Sequence, residues 1–263
     1  MTDRIVLNGK WSLVTGASSG LGVSLAHRLA QRGSNLILVA RREDRLKQVC
    51  QELLARYPGI AVDVIALDLG QPDAAQRLYD QVKAAGREIE VLVNNAGFGL
   101  HGAFVDIPWE KEHEMLELNM VTLTHLTKLL ARDMVARHSG RIMQVASTGG
   151  YAASPHYATY AATKNYVVRF GEAFNYELRG TGVRCTVLSP GAMLTEFQQT
   201  TGHLNWFLRW TQMDADKVAE AGVKAMINGR TDVVPGWFNW VLIHSAQAMP
   251  RRVSLAVADW IMR

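Results

Sequence analysis

Thr15-Gly16-Ala17-Ser18-Ser19-Gly20-Leu21-Gly22 is the stretch from which the rest of the chain can be read. Before it stands a short apolar run, Trp11–Thr15, and after it Gly20–Gln31 carries apolar residues at helical spacing. A chain that passes from strand to helix in so few residues must turn tightly. A backbone meant to approach a pyrophosphate must also shed its side chains there, and glycine at 16, 20 and 22 meets both demands. The helix that follows offers its unpaired N–H groups and positive dipole end to phosphate oxygens. Three glycines in a turn mean little alone; between a buried strand and a helix they predict a phosphate-binding loop.

The same alternation runs on through the chain. Asn35–Ala40, Ala61–Leu67, Glu90–Asn94, Arg141–Ser147 and Val183–Ser189 are mostly Val, Ile, Leu and Ala, as in strands covered on both faces. Helical segments separate them: Arg42–Arg56, Pro72–Ala84, Pro108–Arg137, Thr159–Arg179 and Asp214–Asn228. Gly33 reads as the stop of the first helix, and Pro72 suits the first turn of the third. Strands joined in this way need right-handed crossovers. The expected fold is α/β: a doubly wound, Rossmann-like parallel sheet in three layers, forming one domain over residues 1–263. Residues 193–213, with Phe197, His203, Leu204, Trp206, Phe207, Leu208 and Trp210, read as a substrate-side lid suited to a lipophilic molecule. Residues 237–263 read as a C-terminal helical extension, apolar at Trp237, Phe238, Trp240, Val241, Leu242 and Ile243 and interrupted at Pro250-Arg251-Arg252. A cover packed on the domain or an oligomer contact is expected of it; a peripheral membrane contact is the alternative.

Composition excludes several classes. Lys and Arg number 28 against 24 Asp and Glu, for a net charge of +4, and they are interspersed, as in Arg41-Arg42-Glu43-Asp44-Arg45. That pattern argues against nucleic acid as a partner and leaves anionic small molecules. Cys50 and Cys185 lack metal-type spacing, and His101, His113, His125, His138, His203 and His244 form no ligand-spaced set, so no metal is expected. With no secretory h-region, no membrane-spanning run and few cysteines, a cytoplasmic protein is expected.

The end of the second strand, Val39-Ala40-Arg41-Arg42, bears on the cofactor. An NAD site places a carboxylate here for the ribose hydroxyls, whereas a guanidinium pairs with a 2′-phosphate. Arg41, assisted by Ser18 and Arg42, favours NADP (NADPH). Two further loops follow strands: Asp68-Leu69, where the Asp could equally cap a helix, and Asn94-Asn95-Ala96-Gly97, small enough for close approach of a ring or ribose.

Tyr160-Ala161-Ala162-Thr163-Lys164 places a phenol and an ammonium on one helical face. A neighbouring cation favours phenolate, which makes the pair a plausible proton donor and acceptor. Ser147, at the end of the fifth strand, could hold a substrate oxygen. Asn119 is polar amid the largely apolar Leu116-Glu117-Leu118-Asn119-Met120 and reads either as a water-satisfied helix residue or as a kink or relay toward Lys164. Tyr157 reads as structural or substrate-lining, His156 as a surface residue; Phe98, Leu100, Tyr151 and Met193 are candidate wall residues.

Taken together, Thr15–Gly22, Asp68, Asn94–Gly97, Asn119, Ser147, Tyr160 with Lys164, and Pro190-Gly191 through Thr195 resemble the short-chain dehydrogenases/reductases, in the single-domain branch with a TGxxxGxG motif. The resemblance covers roughly Lys10 to Thr195; Ala146 departs from it where many relatives carry a second serine. It implies an Asn119-Ser147-Tyr160-Lys164 tetrad. Tyr160 would be the general acid/base, and Lys164 would lower its pKa and bind the nicotinamide ribose. Ser147 would orient the carbonyl and Asn119 sustain a proton relay. Cofactor contacts would come from Gly16, Ser18, Ser19, Gly20, Leu21, Gly22, Leu69, Asn95, Ala96, Gly97, Pro190, Gly191 and Thr195, besides those already named. The implied activity is NADP-dependent interconversion of a small-molecule carbonyl and alcohol, in a homodimer or homotetramer built through the Pro108–Arg137 and Thr159–Arg179 helices. A catalytically silent NADP-binding scaffold and a 3-oxoacyl reductase are the alternatives.

Overall fold

Strand β1 (Trp11–Thr15) pairs on one side with β2 (Asn35–Ala40) and on the other with β4 (Ile89–Asn94), and there the winding of the sheet reverses. The computed structural model describes residues 5–193 and 206–262. Within these, β3 (Val62–Ala66) flanks β2, while β5 (Gly140–Val145), β6 (Val183–Leu188) and β7 (Asp232–Val233) continue beyond β4. The order is β3-β2-β1-β4-β5-β6-β7, all parallel. This is the doubly wound architecture expected from the sequence. β7 was not expected; two residues paired with Val187 and Leu188 are too few for any periodicity to register.

Alternate side chains leave opposite faces of a strand, and both faces of β1, β2, β4, β5 and β6 are largely buried. Val14, Leu36, Leu38, Val91 and Val93 pack toward α1 (Gly20–Ala30), α2 (Glu43–Arg56) and α8 (Ala215–Ile227). Leu13, Ile37, Val39, Leu92 and Ile142 pack toward α3 (Ala74–Ala84), α5 (Leu123–Ala136) and the end of α6 (Ala158–Glu177). Three layers result, and the uniformly apolar strands are explained by having no wet face.

Helix boundaries differ from the sequence reading in two places. Pro72 lies in a turn ahead of α3 rather than in its first turn, because Asp73, with φ of 58°, breaks the helical path between them. Pro108–Arg137 is not one helix. It consists of α4 (Trp109–Leu116), a π-helical turn over Glu117–Thr122, and α5. Gly33 ends α1 as expected: at φ of 79° it directs its N–H to Ala30 O and that of Ser34 to Leu29 O. After β6 come α7 (Trp206–Trp210), α8, α9 (Trp237–Ala248) and α10 (Arg251–Met262). No helix among the described residues is long and apolar enough to cross a membrane.

One close approach decides whether the β1–α1 connection can exist. A Cβ at Gly22 would run into the carbonyl oxygen of Gly16, which is backbone and cannot swing away. Gly22→Ala is therefore expected to cost on the order of 2 kcal/mol. This would show as a thermal midpoint lower by several degrees. An unchanged midpoint would mean that the loop accommodates the methyl group.

Candidate active site

The loops that leave the carboxyl ends of β1 to β6 surround a cavity of about 710 Å³. Such crevices beside the winding reversal are where open α/β sheets hold ligands. Its floor depends on two loops pressed together. Thr15 Oγ1 accepts the N–H groups of Asn95 and Ala96, both at 3.0 Å, and Asn95 Nδ2 donates to Thr15 O and Gly16 O at 2.9 and 3.2 Å. A side chain on Gly16 would strike Asn95 and Ala96. Gly16, Ser18, Ser19, Gly20 and Leu21 face the cavity; Thr15 and Gly22 stand behind it and hold the loop. Ser19, the N-cap of α1, makes no side-chain capping bond, and the first turn carries no acid. The helix end therefore remains open to an anion, and the side-chain-free backbone beside it fits a dinucleotide's phosphates.

At the far end, Arg41, Arg42, Asp68 and Leu69 line the wall. Arg42 donates to Ser18 Oγ at 3.3 Å, while Arg41 pairs with Glu114 of α4 at 3.1 Å. Asp68 does not cap α3; its Oδ1 accepts from Gly70 N at 3.0 Å and so shapes its own loop. Behind the wall, Asn94 is fully engaged inside the sheet, donating to Thr127 Oγ1 and Gln144 Oε1 at 2.8 and 3.1 Å. Asn95, Ala96 and Gly97 contribute directly to the wall.

Ser147, Tyr160 and Lys164 meet at the other end. Ser147 lies beyond β5 and caps a 3-10 turn over Thr148–Tyr151, its Oγ accepting from Gly149 N at 3.1 Å. The same side chain is hydrogen-bonded to Tyr160. Lys164, one helical turn on, is buried and donates to Val145 O at 3.0 Å, with its Nζ 5.9 Å from the Tyr160 ring centre. Asn119 is buried in the π-helical turn and clamps a peptide: its Oδ1 accepts from Phe98 N at 3.2 Å and its Nδ2 donates to Phe98 O at 3.0 Å. A further bond from Nδ2 to Thr163 Oγ1, at 3.1 Å, ties this clamp to α6. Asn119 is near Lys164 only across Gly97, whose missing side chain lets them approach.

Burial, rather than the neighbouring lysine, dominates the phenol. Loss of water pushes the Tyr160 pKa up to about 12, partly offset by the bond from Ser147. The same dryness pulls Lys164 down to about 8. At neutral pH the phenol of Tyr160 therefore keeps its proton.

Phe98, Leu100, Tyr157 and Met193 add apolar surface to the cavity wall, as does Met262 from the last turn of α10. Two contacts hold that turn in place, His101 Nε2 with Met262 O at 3.3 Å and His156 Nε2 with Asp259 Oδ1 at 3.2 Å. His156 is therefore a fastening for the extension rather than an isolated surface residue. Tyr151 turns away from the cavity to Ser189 Oγ at 3.1 Å. Pro190 O accepts from Thr148 N at 2.8 Å, and Gly191 lies against buried Asn239 of α9, where a side chain would clash. Thr195, Phe197, His203 and Leu204 lie outside the described residues, as do the side chains of Trp206 and Leu208. Of the described part of the expected lid, Met193 meets the cavity, whereas Phe207 and Trp210 pack with Phe238 of α9. Sequence reading missed Lys111, Glu114, Asn239 and Met262. The first two look like an ordinary surface pair at i,i+3, and nothing local marks the others.

The family model for short chain dehydrogenases matches residues 10–205. A short chain dehydrogenase of Pseudocercospora fijiensis is 36% identical over 195 residues, covering 72% of this chain and 62% of that protein, so the chain spans less than two thirds of that relative's length. Among solved structures, a 7β-hydroxysteroid dehydrogenase aligns with a TM-score of 0.87 at 25% identity, over 98% of this chain and 99% of that one. A short-chain dehydrogenase from Sphingobium yanoikuyae in complex with NADPH aligns with a TM-score of 0.81 at 29% identity, over 90% and 93% of the two chains.

The Lys164 shift has a measurable sign. Its pKa falls from 10.5 to about 8 on folding, so between those values the unfolded chain binds the extra proton. Stability attributable to Lys164 is therefore lacking below pH 8 and is gained as the pH rises through the window. Tyr160, raised from 10 to about 12, works oppositely, and its contribution is lost above pH 10. The unfolding midpoint of the wild type, measured relative to Lys164→Met, should rise between pH 8 and pH 10. A flat difference curve would show that Lys164 keeps its ordinary basicity in the folded protein.

Proposed function

Because the chain belongs to the short-chain dehydrogenase/reductase family of nicotinamide-dependent oxidoreductases, we propose that it interconverts a lipophilic ketone or aldehyde and its alcohol with NADP(H), Tyr160 carrying the proton. The observation that carries this reading is the hydrogen-bonded pair of Ser147 and Tyr160 at the cavity wall, with buried Lys164 one turn away.

Bound with its phosphates at the glycine loop, the dinucleotide supplies or accepts the hydride; the proton falls to the chain. Ser147 Oγ, fixed by Gly149 N–H, and the phenol of Tyr160 converge on one spot, where a carbonyl oxygen would receive two O–H donors. Tyr160 holds its proton at neutral pH and delivers it to that oxygen in reduction. The phenolate left behind is favoured by Lys164, whose own pKa near 8 allows it to gain or lose a proton close to neutrality. Asn119 acts at one remove, fixing Phe98 at the wall and Thr163 between Tyr160 and Lys164.

Preference for NADP over NAD rests on Arg41, Arg42 and Ser18 at the wall where an NAD site would present a carboxylate. The NADPH-bound neighbour supports it. A lipophilic substrate is supported by the apolar wall of Phe98, Leu100, Tyr157, Met193 and Met262, and by likeness to a hydroxysteroid dehydrogenase. The surfaces of α4–α5 and α6 are the proposed subunit contacts.

Tyr160→Phe should lower NADPH-driven reduction of a panel of bulky ketones and aldehydes by at least about 100-fold, while NADPH binding, followed by its fluorescence, stays within about twofold. Turnover that survives this change would remove Tyr160 from the chemistry. Arg41→Asp should weaken NADPH much more than NADH; an unchanged affinity ratio would mean that Arg41 does not read the phosphate.

A further inference from the structure

We propose that Glu114 is an internal stand-in for the cofactor's 2′-phosphate and Lys111 a second cation for that group, so that α4, as well as the end of β2, sets the preference between the two dinucleotides. The inference rests on the NADP reading above.

Its basis is a four-group arrangement at the adenosine end of the cavity. Glu114 offers one carboxylate oxygen to Arg41 Nη1 at 3.1 Å and the other to Lys111 Nζ at 3.2 Å. One anion thus bridges two cations, as a phosphate would. The Arg41 contact spans 73 residues of sequence and joins two elements across the cavity wall; it is not a helix-surface pair. Arg41, Lys111 and Glu114 all line the cavity, and Arg42, bonded to Ser18, stands beside Arg41 in the chain. The two cations are well exposed, each 62%, whereas Glu114 is only 26% exposed. Its stem is seated next to Gly70, where a Cβ would come 3.3 Å from Glu114 Cγ.

A 2′-phosphate arriving between Arg41 and Arg42 enters a cluster whose cations already share an anion. It must replace Glu114 as the partner of Arg41, and Lys111, released with it, becomes available to the same phosphate. NADH brings no such anion and leaves the bridge intact. Glu114 therefore competes with one cofactor and not with the other. Exposed ion pairs are weak, which sets the size of the effect at a few-fold.

The test is calorimetric titration of the full-length protein with adenosine 2′,5′-bisphosphate and with AMP, then with NADPH and NADH. Glu114→Gln should tighten the 2′-phosphorylated ligand of each pair by about three- to fivefold and leave the other unchanged. Lys111→Met should weaken the 2′-phosphorylated ligand alone by a similar factor, and both effects should shrink as salt is raised. If Glu114→Gln moves both members of a pair equally, Glu114 contacts the adenosine itself and the inference is overturned. It is overturned as well if the ratio is unchanged, or if the 2′-phosphorylated ligand binds more weakly. A wild type that favours AMP over the bisphosphate would sink the NADP reading and this inference with it. A wild type that favours the bisphosphate, loses that preference in Arg41→Asp, yet keeps it unaltered in both α4 variants would sink only the inference about α4. Melting curves of each variant establish that the fold is intact.

Discussion

The hydroxyl of Thr15 holds the sheet's winding reversal closed. It accepts two N–H groups from the loop after β4, while Asn95 returns two bonds to the backbone of the glycine loop. β1 and β4 are neighbours whose crossovers leave on opposite faces, so their loops diverge, and a crevice between them is unavoidable. What is not unavoidable is its depth. With glycines at 16, 20 and 22, one loop lies directly on the other, and the start of α1 comes within reach of a ligand that rests on both. Every other wall group, from Arg41 to Tyr160, is positioned around this junction.

Burial has an electrostatic consequence for Tyr160 and Lys164. Burial moves Tyr160 and Lys164 toward their neutral forms, from opposite directions, and the gap between their pKa values widens in the sense of neutralising both. A phenol kept protonated by its surroundings is a ready donor to an oxygen that is gaining negative charge. Under the proposed reaction the lysine does not need to hold a permanent phenolate; it needs to make one tolerable when it forms. The Ser147 bond contributes in the same sense by lowering the cost of the anion.

Much of this was legible in the amino-acid sequence because it is local. The strands β1, β2 and β4 announce themselves by uninterrupted Val, Ile and Leu. The glycine loop and the Tyr160–Lys164 pair each occupy a few consecutive residues. Long-range features were not legible. At Asn119 a polar residue amid apolar ones admitted a kink, but not its form: the π-helical turn interrupts what otherwise looks like one continuous amphipathic helix. Glu114 appears only as the partner of Lys111 on its own helix until the fold brings Arg41 to it. His156 looks like an isolated surface residue because its partner, Asp259, is 103 positions away. The burial that raises the Tyr160 pKa was not legible for the same reason: neighbours in sequence are visible, but burial is a property of the assembled walls.

The extension that carries Met262 to the cavity differs in kind from the rest of the wall. No residue of α10 is fully buried, and its contacts include two polar ones, to His101 and His156. Substitutions at such positions usually change stability by less than about 0.5 kcal/mol. A change in the glycine loop, by contrast, collides with backbone and threatens the whole sheet. The molecule thus separates what must stay constant from what is free to vary. The glycine loop is built into the fold, whereas one position of the cavity wall, Met262, is borne by a helix that can be rewritten at little cost. Descendants of this chain can remodel that corner of the cavity by drift along the helix, with the loops at the carboxyl ends of the strands untouched.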